Sequence, residues 1–162
     1  MSDESKKFLD NYLKAGNMIA VPEFFNKTRS NGGEWDTVDR MLWKIYQYFE
    51  NGKNDRYLNG LFSGKREARE AALNKCKLWF MDAGFNSWPI FVEKNLLQPF
   101  VDEDNNWKPI SLKTGKAISL KISEDYMPMP TTLTECEVFF KTANNGIGKR
   151  CRLIWEKIQG KP

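Results

Sequence analysis

The sequence predicts an α+β fold: a mainly helical N-terminal part packed with a small antiparallel β-hairpin or sheet and C-terminal helices. Three observations predict it. Apolar residues recur at helical spacing through residues 1–98, the period falls to two over residues 107–123, and helical spacing returns over residues 132–159. The 162 residues suit a single globular domain. No internal repeat or low-complexity tract divides them.

Phe8, Leu9, Tyr12 and Leu13 share one face of a first helix, with Gly16 placed to end it. Pro22 suits the first turn of a short helix through Phe24 and Phe25. Ser30-Asn31-Gly32-Gly33 reads as a loop. The clearest helix follows. Asp36 can cap it, Val38, Met41, Leu42, Ile45, Tyr46 and Phe49 form its stripe, and Gly52 ends it. Trp43 falls off that stripe. Residues 57–62 read as a helical turn. A long helix over residues 64–83 follows a Ser63 cap. Its apolar face is Ala68, Ala72, Cys76, Trp79, Phe80 and Ala83, and Gly84 stops it. Residues 87–97 admit a helix opened by Ser87 and Pro89, or a buried strand through Ile90-Phe91-Val92. The helix is the preferred reading.

Beyond Pro99, Ile110 and Leu112 alternate with Ser111 and Lys113. Thr114-Gly115 makes a turn, and Ile118, Leu120 and Ile122 alternate with Ser119, Lys121 and Ser123. This is a β-hairpin with one apolar face, to which Phe100 and Val101 add a third strand. Pro128 and Pro130 hold residues 126–130 extended. Thr132 with Glu135, and Thr134 with Glu137, match capping-box spacing. One helix then runs through Phe140, and a last helix aligns Ile147, Cys151, Ile154, Trp155 and Ile158. A rival reading pairs residues 136–142 with 150–156 around Asn144-Asn145-Gly146, but the helical stripe is the stronger pattern.

Composition narrows the chemistry. The chain has no histidine, which removes the usual base near neutral pH, the Ser-His-Asp and Cys-His pairs, and histidine-bearing zinc sites. Carboxylate-only and lysine-based catalysis survive, so the sequence leans against an enzyme and names no catalytic residue. Three widely spaced cysteines, Cys76, Cys136 and Cys151, lack a C-x-x-C pair and read as small buried apolar residues in a reducing, cytoplasmic protein. There is no basic start followed by an apolar run, and no stretch of membrane-spanning length, so neither a signal peptide nor a membrane contact is expected. Asp102-Glu103-Asp104-Asn105-Asn106 fails as a calcium loop, because Trp107 stands where the turn needs Gly and Lys113 where a Glu belongs. Residues 143–150 approach a phosphate-binding loop but begin on Ala143 and follow Lys149 with Arg150. No metal or cofactor is expected.

Two binding classes remain. Aromatic residues make up 14% of the chain, including six Trp. Trp35, Trp43, Trp88 and Trp107 are harder to place in a core than Trp79 and Trp155. The four are therefore the candidate contacts of a protein-binding module, with Trp43 and Trp107 foremost. The alternative is a nucleic-acid-binding domain. Residues 1–104 hold 15 Lys and Arg against 16 Asp and Glu, whereas residues 105–162 hold 10 against 5. Its phosphate contacts would be Lys108, Lys113, Lys116 and Lys121 on the hairpin. Lys149, Arg150 and Arg152, in the opening turns of the last helix, would add to them. A protein partner is expected first, nucleic acid second, and a second copy of the chain is open. In general character, short, rich in Asn and Lys and free of His, the chain resembles host-takeover proteins of lytic phages. That resemblance implies an inhibitor or adaptor acting on a larger host enzyme such as an ATP-dependent protease or nuclease.

Overall fold

Five α-helices and one two-stranded antiparallel sheet make up the regular structure of the described residues, a mainly helical α+β fold. The computed structural model describes residues 2–11, 14–21, 37–51, 66–122, 124, 126–127 and 129–160, with residues 66, 69 and 72 described by backbone alone. The helices are α1 (Asp3–Asn11), α2 (Val38–Glu50), α3 (Arg66–Asp82), α4 (Trp88–Lys94) and α5 (Leu133–Ile158). The strands are β1 (Val101–Asp102) and β2 (Lys108–Pro109). The predicted elements through Phe24 and Phe25, at residues 30–33 and at residues 57–62, and the caps Asp36 and Ser63, lie outside the described residues, as do Tyr12, Leu13 and Gly52.

Helix α2 is the centre. Its predicted stripe is buried or half-buried, but so are residues on its other faces, and Trp43 is 0% exposed. The expectation that Trp43 lies outside the core is therefore corrected. A stripe forecasts burial only when one neighbour covers the helix, and α2 has several. Helix α4 and β2 pack against it. A third neighbour, the segment around Glu124, accepts hydrogen bonds at its carbonyl from Trp43 Nε1 (2.9 Å) and Gln47 Nε2 (2.9 Å).

The aromatic residues go largely into this core. Tyr48 stacks on Phe80 at 4.8 Å, Trp88 on Phe91 at 5.9 Å, and Phe85 meets Phe91 edge-on at 5.0 Å. These rings join α2, α3 and α4. Helix α3 contributes Leu73, Cys76 and Phe80, while Ala68 and Ala83 of the predicted face are exposed. Gly84 ends α3 at φ 67°, as expected of a residue needing the left-handed region. Helix α4 takes the helical reading of residues 87–97, with Ser87 Oγ accepting from Ile90 N and proline in the first turn. Trp88 is buried there, with its Nε1 donating to Trp107 O at 2.7 Å.

The β part is shorter than predicted. β1 pairs with β2, so the strand expected at Phe100 and Val101 exists in part. The two arms of the predicted hairpin meet at the bridge Ile110↔Ala117, where Ile118 N donates to Pro109 O (2.9 Å) and Ser111 N to Lys116 O (2.8 Å). Regular pairing stops there. Leu112 N, next along the arm, donates to the Asp39 carboxylate instead, and the Ser111 hydroxyl turns inward to Tyr126.

The two C-terminal helices are one. Helix α5 runs unbroken for 26 residues, about 39 Å at 1.5 Å per residue. Thr132 caps it, accepting from Glu135 N at 3.2 Å, while the Glu135 carboxylate accepts from Thr131 N at 2.6 Å. Asn144-Asn145-Gly146 forms no break. Asn144 accepts from Asn11 Nδ2 (3.1 Å) and donates to Glu4 (2.7 Å to Oε2), which fastens α1. Gly146 admits the ring of Phe100, whose Cε1 lies 2.4 Å from where a Cβ would stand. Gly16 makes a similar approach to Ile147 O and Cys151 Sγ, so its role is contact rather than helix termination. Leu9, expected on the buried face of α1, points to solvent, while Phe8 packs on Phe139 and Phe140. Among the described residues no helix is long and apolar enough to cross a membrane.

Two glycines of α5, Gly146 and Gly148, respond oppositely to a methyl group. Gly146→Ala is expected to destabilise by about 1–3 kcal/mol through overpacking against Phe100. At Gly148 nothing lies within 4 Å of an added Cβ. Gly148→Ala is therefore expected to stabilise by about 0.5–1 kcal/mol. Urea denaturation of both variants checks the contrast, and equal signs would refute the close approach.

Candidate functional site

Two places bring polar groups together. The first is buried. Asp39, in the first turn of α2, is 0% exposed. Its Oδ1 accepts from Arg40 N (3.0 Å), and its Oδ2 accepts from Leu112 N (2.8 Å) and Tyr126 Oη (2.7 Å). Tyr126 Oη also shares a 2.7 Å hydrogen bond with Ser111 Oγ. Burial raises the Asp39 carboxyl above the usual aspartate range, outweighing the bonds it accepts. Burial also raises the Tyr126 phenol, and the Asp39 charge adds to the effect. Beside this network lies a surface groove of about 390 Å³, lined by Ser111, Lys113, Ile118, Leu120, Tyr126 and Met127 among others. The network faces the fold. It joins α2 to the 111–114 turn and to the start of the 126–130 linker, and Asp39 does not line the groove.

The second place is the exposed end of α5. The buried stripe of this helix is Phe139, Ala143, Ile147 and Arg150, covered by α1 and by the turns Ala15–Asn17 and Gln98–Phe100. Past Cys151 that cover thins, with Leu153 and Ile154 still half-buried. Trp155 is 59% exposed and Ile158 71%. The two are neighbours at i and i+3 on the helix surface. Lys149, Arg152, Glu156 and Lys157 stand exposed around them. Lys149 and Arg152 line a groove of about 410 Å³ with Gln98, Pro99, Leu153 and Glu156.

The predicted site residues divide accordingly. Trp43 and Trp88 are core residues, Trp107 is half-buried, and Trp35 lies outside the described residues. Trp155, assigned to the core by its spacing, is the exposed one. Of the predicted cations, Arg150 is corrected most firmly. It is 6% exposed, its Nε donates to Asn95 O (3.1 Å), and its Nη1 donates to the carbonyls of Ala15 (3.4 Å), Gly16 (3.3 Å) and Met18. It holds the chain to α5 and offers nothing to a phosphate. The helix N-terminus expected at Lys149 does not exist, because α5 began sixteen residues earlier at Leu133. Lys113 is paired with Glu135 at 3.3 Å. Hydrogen bonds from Thr131, together with that lysine, hold the Glu135 carboxyl down at about 2. Lys108 is half-buried in β2, whereas Lys116 and Lys121 are exposed. The 113–115 turn packs near Thr142 and Val138 of α5. From Thr142 to Arg152 is about 15 Å along the helix. The seven predicted cations therefore form no single patch.

Cys76 is buried, which pushes its thiol up to about 12 and leaves it inert near neutral pH. Cys136 and Cys151 are half-buried, and Cys151 Sγ accepts from Gly16 N at 3.3 Å. Among the described residues no three Cys, Asp or Glu side chains converge as a metal site would require.

The chain matches no protein-family model, no curated protein and no solved structure.

Two outcomes follow. Arg150→Ala, which orphans several carbonyls, is expected to cost about 2–4 kcal/mol. The exposed neighbour Lys149→Ala should stay within about 0.5 kcal/mol, as read from urea midpoints. Asp39 gives a pH signature. Below its ordinary value of 3.8 both the folded and the unfolded states are protonated. As pH rises from there to the raised folded value, the unfolded chain ionises first, so stability falls across that window. Unfolding free energies of wild type and Asp39→Asn, compared across that range, should diverge against the wild type as pH rises. A constant difference would refute the assignment.

Proposed function

We propose that the chain is a non-enzymatic protein-binding module whose contact surface is the exposed end of α5. The observation behind the reading is the adjacency of Trp155 and Ile158, both mostly exposed on a helix whose middle turns, through Phe139, Ala143 and Ile147, are buried. Large apolar side chains scattered singly over a surface need no explanation, but an exposed Trp beside an exposed Ile is the composition of an interface centre. Leu78 and Met81 on α3 form a second exposed pair, without an aromatic ring. The surrounding cations suit the polar rim of such a contact. An inhibitor or adaptor that acts by occupying a larger protein fits this reading.

Nucleic-acid binding is the second reading, favoured by the place of Arg152 one turn before Trp155, since a ring beside a cation can stack a base. Affinity purification with the full chain as bait, repeated with nuclease and with Trp155→Ala, separates the two. Partners that survive nuclease and fall at least about tenfold in yield with Trp155→Ala are expected, consistent with a hot-spot loss above 1.4 kcal/mol. Partners lost to nuclease would favour the second reading. Partners indifferent to Trp155 would place the contact elsewhere.

A further inference from the structure

The structural demands of the fold account for several cations near α5 but not for all. Arg150 is held by four carbonyls. Lys113 neutralises Glu135. Lys157 stands in the last turn, where it complements the negative end of the helix dipole. Lys149 and Arg152 lie two turns or so before that end, outside the reach of the dipole term. Both line the groove of about 410 Å³ whose remaining walls are Gln98, Pro99, Leu153 and Glu156. Trp155, three residues beyond Arg152, flanks the groove on the adjoining face of the helix. Over the exposed positions 149–158 the balance is three cations to one acid.

Resting on the protein-binding reading, we infer that this groove and its Trp155 edge receive an acidic segment of the partner, in which carboxylates alternate with bulky apolar side chains. Carboxylates meet Lys149 and Arg152, and a planar guanidinium accepts a carboxylate through two parallel bonds. Apolar side chains cover Leu153, Pro99 and the Trp155 ring. Glu156, inside the groove, selects against a continuous polyanion, whose regularly spaced phosphates have no means of avoiding it. A polypeptide can place a neutral or basic residue opposite it.

The test is selection of a displayed random-peptide library on the full-length protein, followed by affinity measurements on the recovered peptides. A fluorescein-labelled single-stranded oligonucleotide is measured in parallel. The expected peptides are net acidic and carry bulky apolar residues. Their binding weakens with rising salt and falls roughly tenfold with Arg152→Glu or Lys149→Glu. Peptides with lysines in place of their acids should bind the doubly reversed variant better than the wild type. All these substitutions are on exposed positions, so an unchanged urea midpoint confirms that each variant is folded. Neutral or basic peptides that still need Trp155 would overturn the acidic partner while leaving the protein-binding reading intact. Recovery of no Trp155-dependent peptide would overturn the acidic partner. An oligonucleotide held through Trp155 and Arg152 in its place would overturn the protein-binding reading as well.

Discussion

Helix α5 continues through Asn144-Asn145-Gly146, and the placement of much of the chain follows from that continuity. The same residues that interrupt helices elsewhere are used here as docking points. Asn144 has its amide occupied by Asn11 and Glu4, so it does not compete for its own backbone. Gly146 exchanges helix propensity for the close approach of Phe100. One turn later Arg150 collects carbonyls from two distant loops. Two consecutive turns of one helix thus fasten α1, the Ala15–Asn17 turn, Asn95 and the Gln98–Phe100 turn. Each fastening satisfies polar groups that burial would otherwise leave orphaned.

The other half of the molecule is organised around α2 by a different device. Asp39 reaches from the first turn of that helix to a backbone amide and a phenol that are 73 and 87 residues away in sequence. Its burial is unfavourable for the charged form, as the raised carboxyl shows, and it persists because each oxygen accepts a hydrogen bond. Aromatic packing supplies the rest of the cohesion here. The rings of Tyr48, Phe49, Phe80, Phe85, Trp88 and Phe91 meet within 6.4 Å of one another in successive pairs. The richness in Trp and Phe is thus largely a property of the interior.

What could be read from the sequence divides along the range of the forces involved. The mainly helical α+β class, the α4 cap at Ser87, the Thr132–Glu135 cap and the stop at Gly84 were legible because each depends on residues within one turn of one another. The hairpin was legible only as far as Ile110 and Ala117. Its further arms are diverted by Asp39 and Tyr126, partners that no local pattern announces. Trp43 was misplaced for the same reason: periodicity reports one covering neighbour, and α2 has several. Arg150 reads as a candidate phosphate contact because nothing in its neighbourhood of the sequence indicates that Ala15, Gly16 and Met18 pass beside it. A signal for Trp155 was available. Counting the stripe of α5 in fours and threes from Phe139 through Ala143, Ile147 and Arg150 leads to Ile154, which leaves Trp155 at its edge.

That edge position bears on what the end of α5 is for. The cover that α1 and the two short turns give the helix thins past Cys151: Leu153 and Ile154 are half-buried, and from Trp155 to Ile158 the helix is exposed. Helix stability alone does not call for Trp at 155 or Ile at 158, since Lys, Glu or Gln has higher helix propensity and no apolar surface to expose. Nor does the core call for them, since both side chains lie mostly outside it. The stretch is also not simply greasy: Arg152, Glu156 and Lys157 keep it charged while the two apolar side chains stay adjacent. Random surface composition scatters such residues, whereas an interface places an aromatic anchor beside an aliphatic one and rims both with charge. On the protein-binding reading proposed above, a helix that extends past its own core, with its apolar positions retained and its cations unspent on the fold, is completed by the surface of a partner.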